Sequence, residues 1–295
     1  MGSYPPASPS NGYIHEDDLA HAEILPPAAG TMDAQPARRS RSRWLSAPAT
    51  YLLVGLNCGV FLWMVARGVS PMNPTVEQLM HFGANRAGNV LVGGEWSRIV
   101  TAMFVHVGFL HLATNMWCLW NLGLLAEPLV GSLGVLSVYI LSGAAGNLLS
   151  TLANWISSRG DWATLHDLGV FPAGAGASGA VFGIAGALIV LLKSDRLPVP
   201  AIELKKLRRS VIYFAAINLV IGISISVGNQ VLHSGLNIDN WAHMGGFSCG
   251  LLFAAPLVPR IGSPRKLFNF RLRVAVGMVV GILVLFGFYL AQLPR

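Results

Sequence analysis

Apolar residues fall in long runs along this chain, and short stretches between the runs carry much of its charge. About 20 consecutive apolar residues cross a bilayer as an α-helix. Seven runs approach that length, at about 49–66, 111–130, 133–154, 176–193, 210–228, 240–259 and 271–292. A long mixed connection, 67–110, follows the first run. A polar loop with Gly160, Asp161, His166 and Pro172 precedes the fourth. The first 45 residues read differently: they are rich in Pro, Ala, Ser and Gly, and end in Arg38-Arg39-Ser40-Arg41-Ser42-Arg43. No apolar h-region follows the initiator Met, so this is not a secretory signal, and its composition reads as a disordered tail. The pattern predicts an all-α polytopic membrane protein.

Composition agrees: 53% of residues are hydrophobic and 11% charged, where a soluble domain is about 25% charged. The net charge of +7 does not mark a nucleic-acid partner, because the basic residues sit between apolar runs and so record membrane orientation. Arg38, Arg39, Arg41 and Arg43 precede the first run. Lys193, Arg196, Lys205, Lys206, Arg208 and Arg209 follow the fourth, and Arg260, Arg265, Lys266, Arg271 and Arg273 follow the sixth. With seven spans these regions share one side, which predicts a cytoplasmic N-terminus and a C-terminus outside. The stretch from Gly228 to Asn240 has no Lys or Arg and falls outside. Cys58, Cys118 and Cys249 all lie in apolar runs, as small packing residues rather than a disulfide framework. No Cys/His cluster has the spacing of a zinc site, so neither metal nor cofactor is expected.

Candidate chemistry sits at one depth. Ser178, in Gly176-Ala177-Ser178-Gly179, opens the fourth run, and His243, in Ala242-His243-Met244-Gly245-Gly246, lies near the start of the sixth. Both runs, and the second run that His111 opens, enter from the outer side. Ionisable and polar groups within a bilayer are functional suspects. Serine becomes a nucleophile when a neighbouring base takes its proton, and His243 is placed for that. A serine at a helix N-terminus also has free N–H groups nearby for an oxyanion. His111 and Asn115 are i, i+4 on one face, and both can donate hydrogen bonds to such an oxyanion. Gly179, Gly183 and Gly186 line one face of the fourth run; His243, Gly246 and Gly250 line one face of the sixth. Small faces let transmembrane helices touch, which would bring Ser178 to His243, with Phe182 one turn from the serine to wedge the imidazole. Each feature alone has an ordinary reading: glycines as membrane packing, His111 as a helix cap, Asn115 as an interhelical packing residue. Glu95, Trp96 and Arg98 in the long connection read as scaffolding, with Trp96 at headgroup depth, and His106 as a loop brace.

Taken together, Glu95-Trp96-x-Arg98, His111-x-x-x-Asn115, Gly176-x-Ser178-Gly179 and Ala242-His243-x-x-Gly246-x-x-x-Gly250 resemble the rhomboid family of intramembrane serine proteases over roughly 46–260. The resemblance implies a six-helix rhomboid-type bundle at 46–260 plus one appended transmembrane helix at 261–295, after a cytoplasmic tail at 1–45. It implies a Ser178–His243 dyad, His111 and Asn115 as oxyanion donors with the serine backbone N–H, and transmembrane protein substrates cut near the outer face. Family members often carry tyrosine one turn after the serine; this chain has Phe182, which keeps the ring and loses the hydroxyl. The default compartment is a bacterial cytoplasmic membrane. Two rival readings remain: a non-proteolytic rhomboid-like protein that binds membrane clients, and a small transporter using Ser178, His111 and Asn115 as pathway residues, although no internal repeat supports the latter. Nothing in the sequence sets an oligomeric state.

Overall fold

The computed structural model describes residues 47–158, 173–194, 197, 200–232, 238–258 and 264–293, all within one compact unit, Ser42–Arg295. The expectations for the tail 1–45, for Gly160, Asp161, His166 and Pro172, and for Arg196 and Arg260 lie outside these residues. The helices run in the order α1 (Pro48–Ala66), α2 (Val76–His81), α3 (Ala87–Leu91), α4 (Arg98–Thr101), α5 (Phe109–Ser157), α6 (Ser178–Leu191), α7 (Ala201–Leu232), α8 (Asn240–Ala254) and α9 (Arg265–Ala291). Of these, α1, α5 and α9 are long and apolar enough to cross a membrane, and α6 is a shorter apolar helix.

The second and third apolar runs are the two helical arms of α5. Its 49 residues break at Gly131, whose φ of 74° and ψ of 169° are not helical; glycine adopts this positive φ without a Cβ penalty. The arms double back there. His111, at the start of the first arm, lies against Gly176, and Ser150, late in the second arm, bonds to Asp239, while Glu127 near the break reaches the start of α1. Three other runs have different ends from those expected, among them the seventh, whose helix α9 starts at Arg265 rather than near 271. α7 starts at Ala201 rather than near 210, because Leu204, Lys205, Lys206, Leu207, Arg208 and Arg209 are good helix formers that extend the helix past the apolar stretch. α8 stops at Ala254, short of 259.

Helix α6 is the centre of the bundle. Eleven of its residues, from Gly179 through Leu188 and again Leu191, are buried, as expected for a helix that is apolar all round. Its 14 residues span about 21 Å, less than the ~30 Å hydrocarbon core of a bilayer. It is flanked by α8 through backbone contact. A Cβ on Gly246 would collide with the Gly179 carbonyl and one on Gly250 with the Gly183 carbonyl, so no other residue fits at either position.

Two polar links fix α1. Its N-cap, Ala47, offers no side-chain bond, and Pro48 stands at the first turn. The cap comes instead from Glu127, whose carboxylate accepts from Ala49 N at 2.9 Å, Thr50 N at 2.8 Å and Thr50 Oγ1 at 2.7 Å. A carboxylate is favoured at a helix N-terminus by the free N–H groups and the helix dipole. Ser132 Oγ donates to the same carboxylate at 2.6 Å, which also pins the Gly131 turn. Further along, Asn57 Nδ2 donates to Tyr139 Oη at 2.9 Å.

The connection between α1 and α5 is held by Arg98. Its guanidinium donates to the carbonyls of Met80 at 2.7 Å and Ala84 at 2.9 Å, and pairs with Glu95 at 2.6 Å. The Asn89 amide and then Arg98, each bonded to the Glu95 carboxylate, hold its pKa below the usual range. Trp96 packs into a separate apolar cluster with Ala87, Val90, Leu290 and Leu293, so the far end of α9 rests against this connection.

Replacing Glu127 by Gln removes the charge that four donors share, and is expected to destabilise the protein by about 2 kcal/mol, read as a lower unfolding midpoint in detergent. Replacing Arg98 by Ala strands two carbonyls and is expected to cost about 2 kcal/mol, whereas Glu95→Gln removes a half-exposed ion pair and costs less than about 1 kcal/mol. The Glu95 contribution has a definite pH sense. A depressed carboxylate stabilises the fold above its ordinary titration range and ceases to do so as pH falls through the folded-state value, so the gap between wild type and Glu95→Gln closes on acidification.

Candidate active site

Ser178 is the first residue of α6, and the turn before it is shaped by Gly176 at φ 126°. That turn is anchored on three sides. Gly174 pairs with Asn85 through two backbone bonds of 2.7 Å, Gly176 N donates to Ala102 O at 2.9 Å, and Ala177 N donates to His106 Nε2 at 3.4 Å. His106 is fully buried. Burial, with the neighbouring His111 adding to it, pushes its imidazole down to about 3, so it is neutral at pH 7. Its Nε2 accepts from Ala177, which leaves Nδ1 as the donor to Phe104 O at 3.2 Å. Because the first N–H groups of a helix have no intrahelical partners, the Ser178 end of α6 presents donors beside the hydroxyl.

His243 lies in the first turn of α8 and is 6% exposed. Its Nε2 is 2.8 Å from Ser178 Oγ. The Phe182 ring stacks on the imidazole at a centroid distance of 4.4 Å and an interplanar angle of 10°. With Nε2 facing the hydroxyl, the second nitrogen, Nδ1, has no hydrogen-bond partner among the described residues. Hydroxyl, imidazole and ring therefore form a two-residue proton path with an apolar backstop. A small cavity borders Ser178, lined by Gly143, Gly176, Gly179 and Ala242 and by the polar Asn147 and Asp239.

His111 faces the same turn. A Cβ on Gly176 would lie 2.5 Å from His111 Cε1 and 3.1 Å from Nε2. Val107 N donates to His111 Nδ1 at 3.4 Å, and the tautomer that accepts this bond carries its proton on Nε2, beside Gly176. Asn115 is buried one turn further along and donates one amide hydrogen to His111 O at 2.8 Å, with its second hydrogen left for another acceptor.

Of the residues singled out in the sequence, the structure gathers Ser178, His243, Phe182, Gly176, Gly179 and His111 into one constellation, with Asn115 bonded to His111 and with Gly246 and Gly250 along the α6–α8 contact. Glu95, Trp96 and Arg98 belong elsewhere: the bonds of Glu95 and Arg98 stay within the 67–110 connection and Trp96 packs toward α9. Asp239 and Ser150 drew no attention in the sequence. Asp239 directly precedes α8 and lines the cavity, and the only sequence signal was an Asp in N-cap position four residues before His243.

Residues 93–260 match the rhomboid domain. The chain is 32% identical over 241 residues to "Rhomboid protease GluP" of Bacillus subtilis (strain 168), covering 81% of this chain and 40% of that protein. It is 32% identical over 210 residues to "Rhomboid protease AarA" of Providencia stuartii, covering 70% of each. It is 30% identical over 225 residues to "Rhomboid-like protease 5" of Toxoplasma gondii, covering 72% of this chain and 23% of that protein. The chain thus spans less than half of GluP and most of AarA. The matched region contains Ser178, His243 and the helices α5 to α8, and the chain is an integral membrane protein belonging to the rhomboid family.

Proposed function

We propose that this chain is an intramembrane serine endopeptidase that cuts transmembrane protein substrates near the outer face of a bacterial cytoplasmic membrane, with its N-terminus in the cytoplasm. The observation that carries this reading is the 2.8 Å approach of His243 Nε2 to Ser178 Oγ, at the N-terminus of a central helix too short to span the hydrocarbon core. The protease names of the bacterial relatives support it.

In the reaction, Ser178 Oγ attacks the scissile carbonyl carbon while His243 Nε2 takes its proton. The oxyanion forms beside the first N–H groups of α6, with His111 Nε2–H and the free amide hydrogen of Asn115 as further donors. Collapse breaks the C–N bond, His243 returns the proton to the leaving amine, and the acyl chain stays on Ser178. Water, activated by the same imidazole, then releases the acyl group and restores the hydroxyl. A helical substrate hides its carbonyls in hydrogen bonds, so the segment must unwind before it enters, which favours small or helix-breaking residues near the cut. Neither metal nor cofactor has a role in this scheme.

The test is purified protein in detergent, given a fluorogenic peptide with a transmembrane segment and, separately, a fluorophosphonate probe. Wild type is expected to cleave and to label at Ser178. Ser178→Ala and His243→Ala are each expected to lose at least ~10³-fold in kcat. Undiminished cleavage in both variants would end the proposal, and a wild type that neither labels nor cleaves would favour a client-binding protein. Asn115→Ala is expected to lower kcat by about 10²-fold with KM unchanged, which separates oxyanion stabilisation from substrate binding in steady-state kinetics.

A further inference from the structure

Among the described residues, no side chain orients His243 through its second nitrogen. In a Ser-His-Asp triad a carboxylate on Nδ1 fixes the tautomer and the ring; here Nδ1 has no partner among the described residues. The Phe182 stack restricts the plane of the ring, but not the position of the backbone that carries it. That position is set by the first turn of α8, and the first turn is set by Asp239.

One carboxylate joins two elements. Asp239 Oδ1 accepts from Ala242 N at 2.9 Å, capping α8, and Asp239 Oδ2 accepts from Ser150 Oγ at 2.5 Å, on the second arm of α5. The Asp239 carbonyl also accepts from His243 N at 3.2 Å. The same turn has no slack on the opposite side. A Cβ on Gly146 would lie 2.5 Å from Ala242 O, and one on Gly179 would lie 3.1 Å from it, so the Ala242 carbonyl sits against two backbones at once. A shift of this turn along or about the helix axis carries His243 with it, and the 2.8 Å contact with Ser178 Oγ changes directly.

We infer that Asp239, tethered by Ser150, is a positioning residue for the general base: it does by backbone placement what the aspartate of a triad does by contact with the imidazole. This rests on the protease reading above. The role is geometric rather than electrostatic, because both carboxylate oxygens are engaged by Ala242 and Ser150 and neither meets the imidazole. Asparagine at this site would therefore serve. It caps helices as well as aspartate does, and its amide N–H can donate to Ser150 Oγ, so charge is lost while the two links remain.

The experiment measures fluorophosphonate labelling of Ser178 in the full-length protein, recording the rate constant and the final labelled fraction separately, with kcat and KM on the fluorogenic transmembrane peptide. Small displacements of reacting groups cost about 10²-fold in rate. Asp239→Ala is therefore expected to slow labelling and lower kcat by about 10- to 100-fold, with the final labelled fraction and KM unchanged. Ser150→Ala should act in the same direction by a smaller factor, and Asp239→Asn should stay within about threefold of wild type. A merely structural role would lower the labelled fraction and leave the rate per labelled site alone. That result for Asp239→Ala would overturn the inference. So would Asp239→Asn being as slow as Asp239→Ala, which would make the charge the active feature. The two failures are distinguishable: a wild type that neither labels nor cleaves removes the protease reading and this inference together, while an active wild type with an unimpaired Asp239→Ala removes this one alone.

Discussion

The backbones of α6 and α8 touch at Gly179 against Gly246 and at Gly183 against Gly250, and the polar geometry at the Ser178 end follows from that contact. A bilayer supplies no hydrophobic force to drive one apolar helix onto another, so association depends on close packing. Any side chain at Gly246 or Gly250 would hold the helices apart. A hydroxyl and an imidazole make a hydrogen bond over about 3 Å, so even a fraction of that added separation would break the pair. The glycines therefore set the gap between Ser178 and His243.

Around that contact the polar groups collect at two places and leave the middle of the bundle largely apolar. One collection surrounds Ser178, with His106, His111, Asn147, Asp239 and Ser150 in or beside it. The other surrounds Glu127, with Thr50 and Ser132. Unpaired polar groups are costly where water is absent, and in both collections the groups are largely bonded to one another or to backbone. The exception with chemical meaning is His243 Nδ1. Among the described residues that atom has no hydrogen-bond partner, so packing and the helix that carries it hold the imidazole.

Much of this was legible before any coordinates. Long apolar runs announce membrane helices, and glycines at i, i+4 and i+7 on the fourth run and i, i+4 on the sixth announce which faces meet. His243 stands out because an imidazole is costly in such surroundings, and Ser178 because it lies between glycines at the start of another run at similar depth. What stayed hidden has one physical origin. Hydrophobic periodicity identifies a face and not its partner, and Glu127 pairs with Thr50 across 77 positions while Ser150 pairs with Asp239 across 89. The gap between the runs 111–130 and 133–154 already marks the reversal at 131–132, and the backbone angles of Gly131 show the residue that makes it. Helix ends were misjudged where good helix formers carried a helix past its apolar stretch, as at the start of α7.

The shortness of α6 bears on how the protein meets lipid. Because this helix is buried among its neighbours and is shorter than the hydrocarbon core, it has no length to match to the surrounding acyl chains. Hydrophobic mismatch falls instead on helices with large exposed apolar faces, such as α1 and α9. Those can tilt to suit a thicker or thinner bilayer, while the depth of Ser178 is fixed by its neighbours in the bundle. The Ser178 hydroxyl is thus insulated from the thickness of the membrane that houses it.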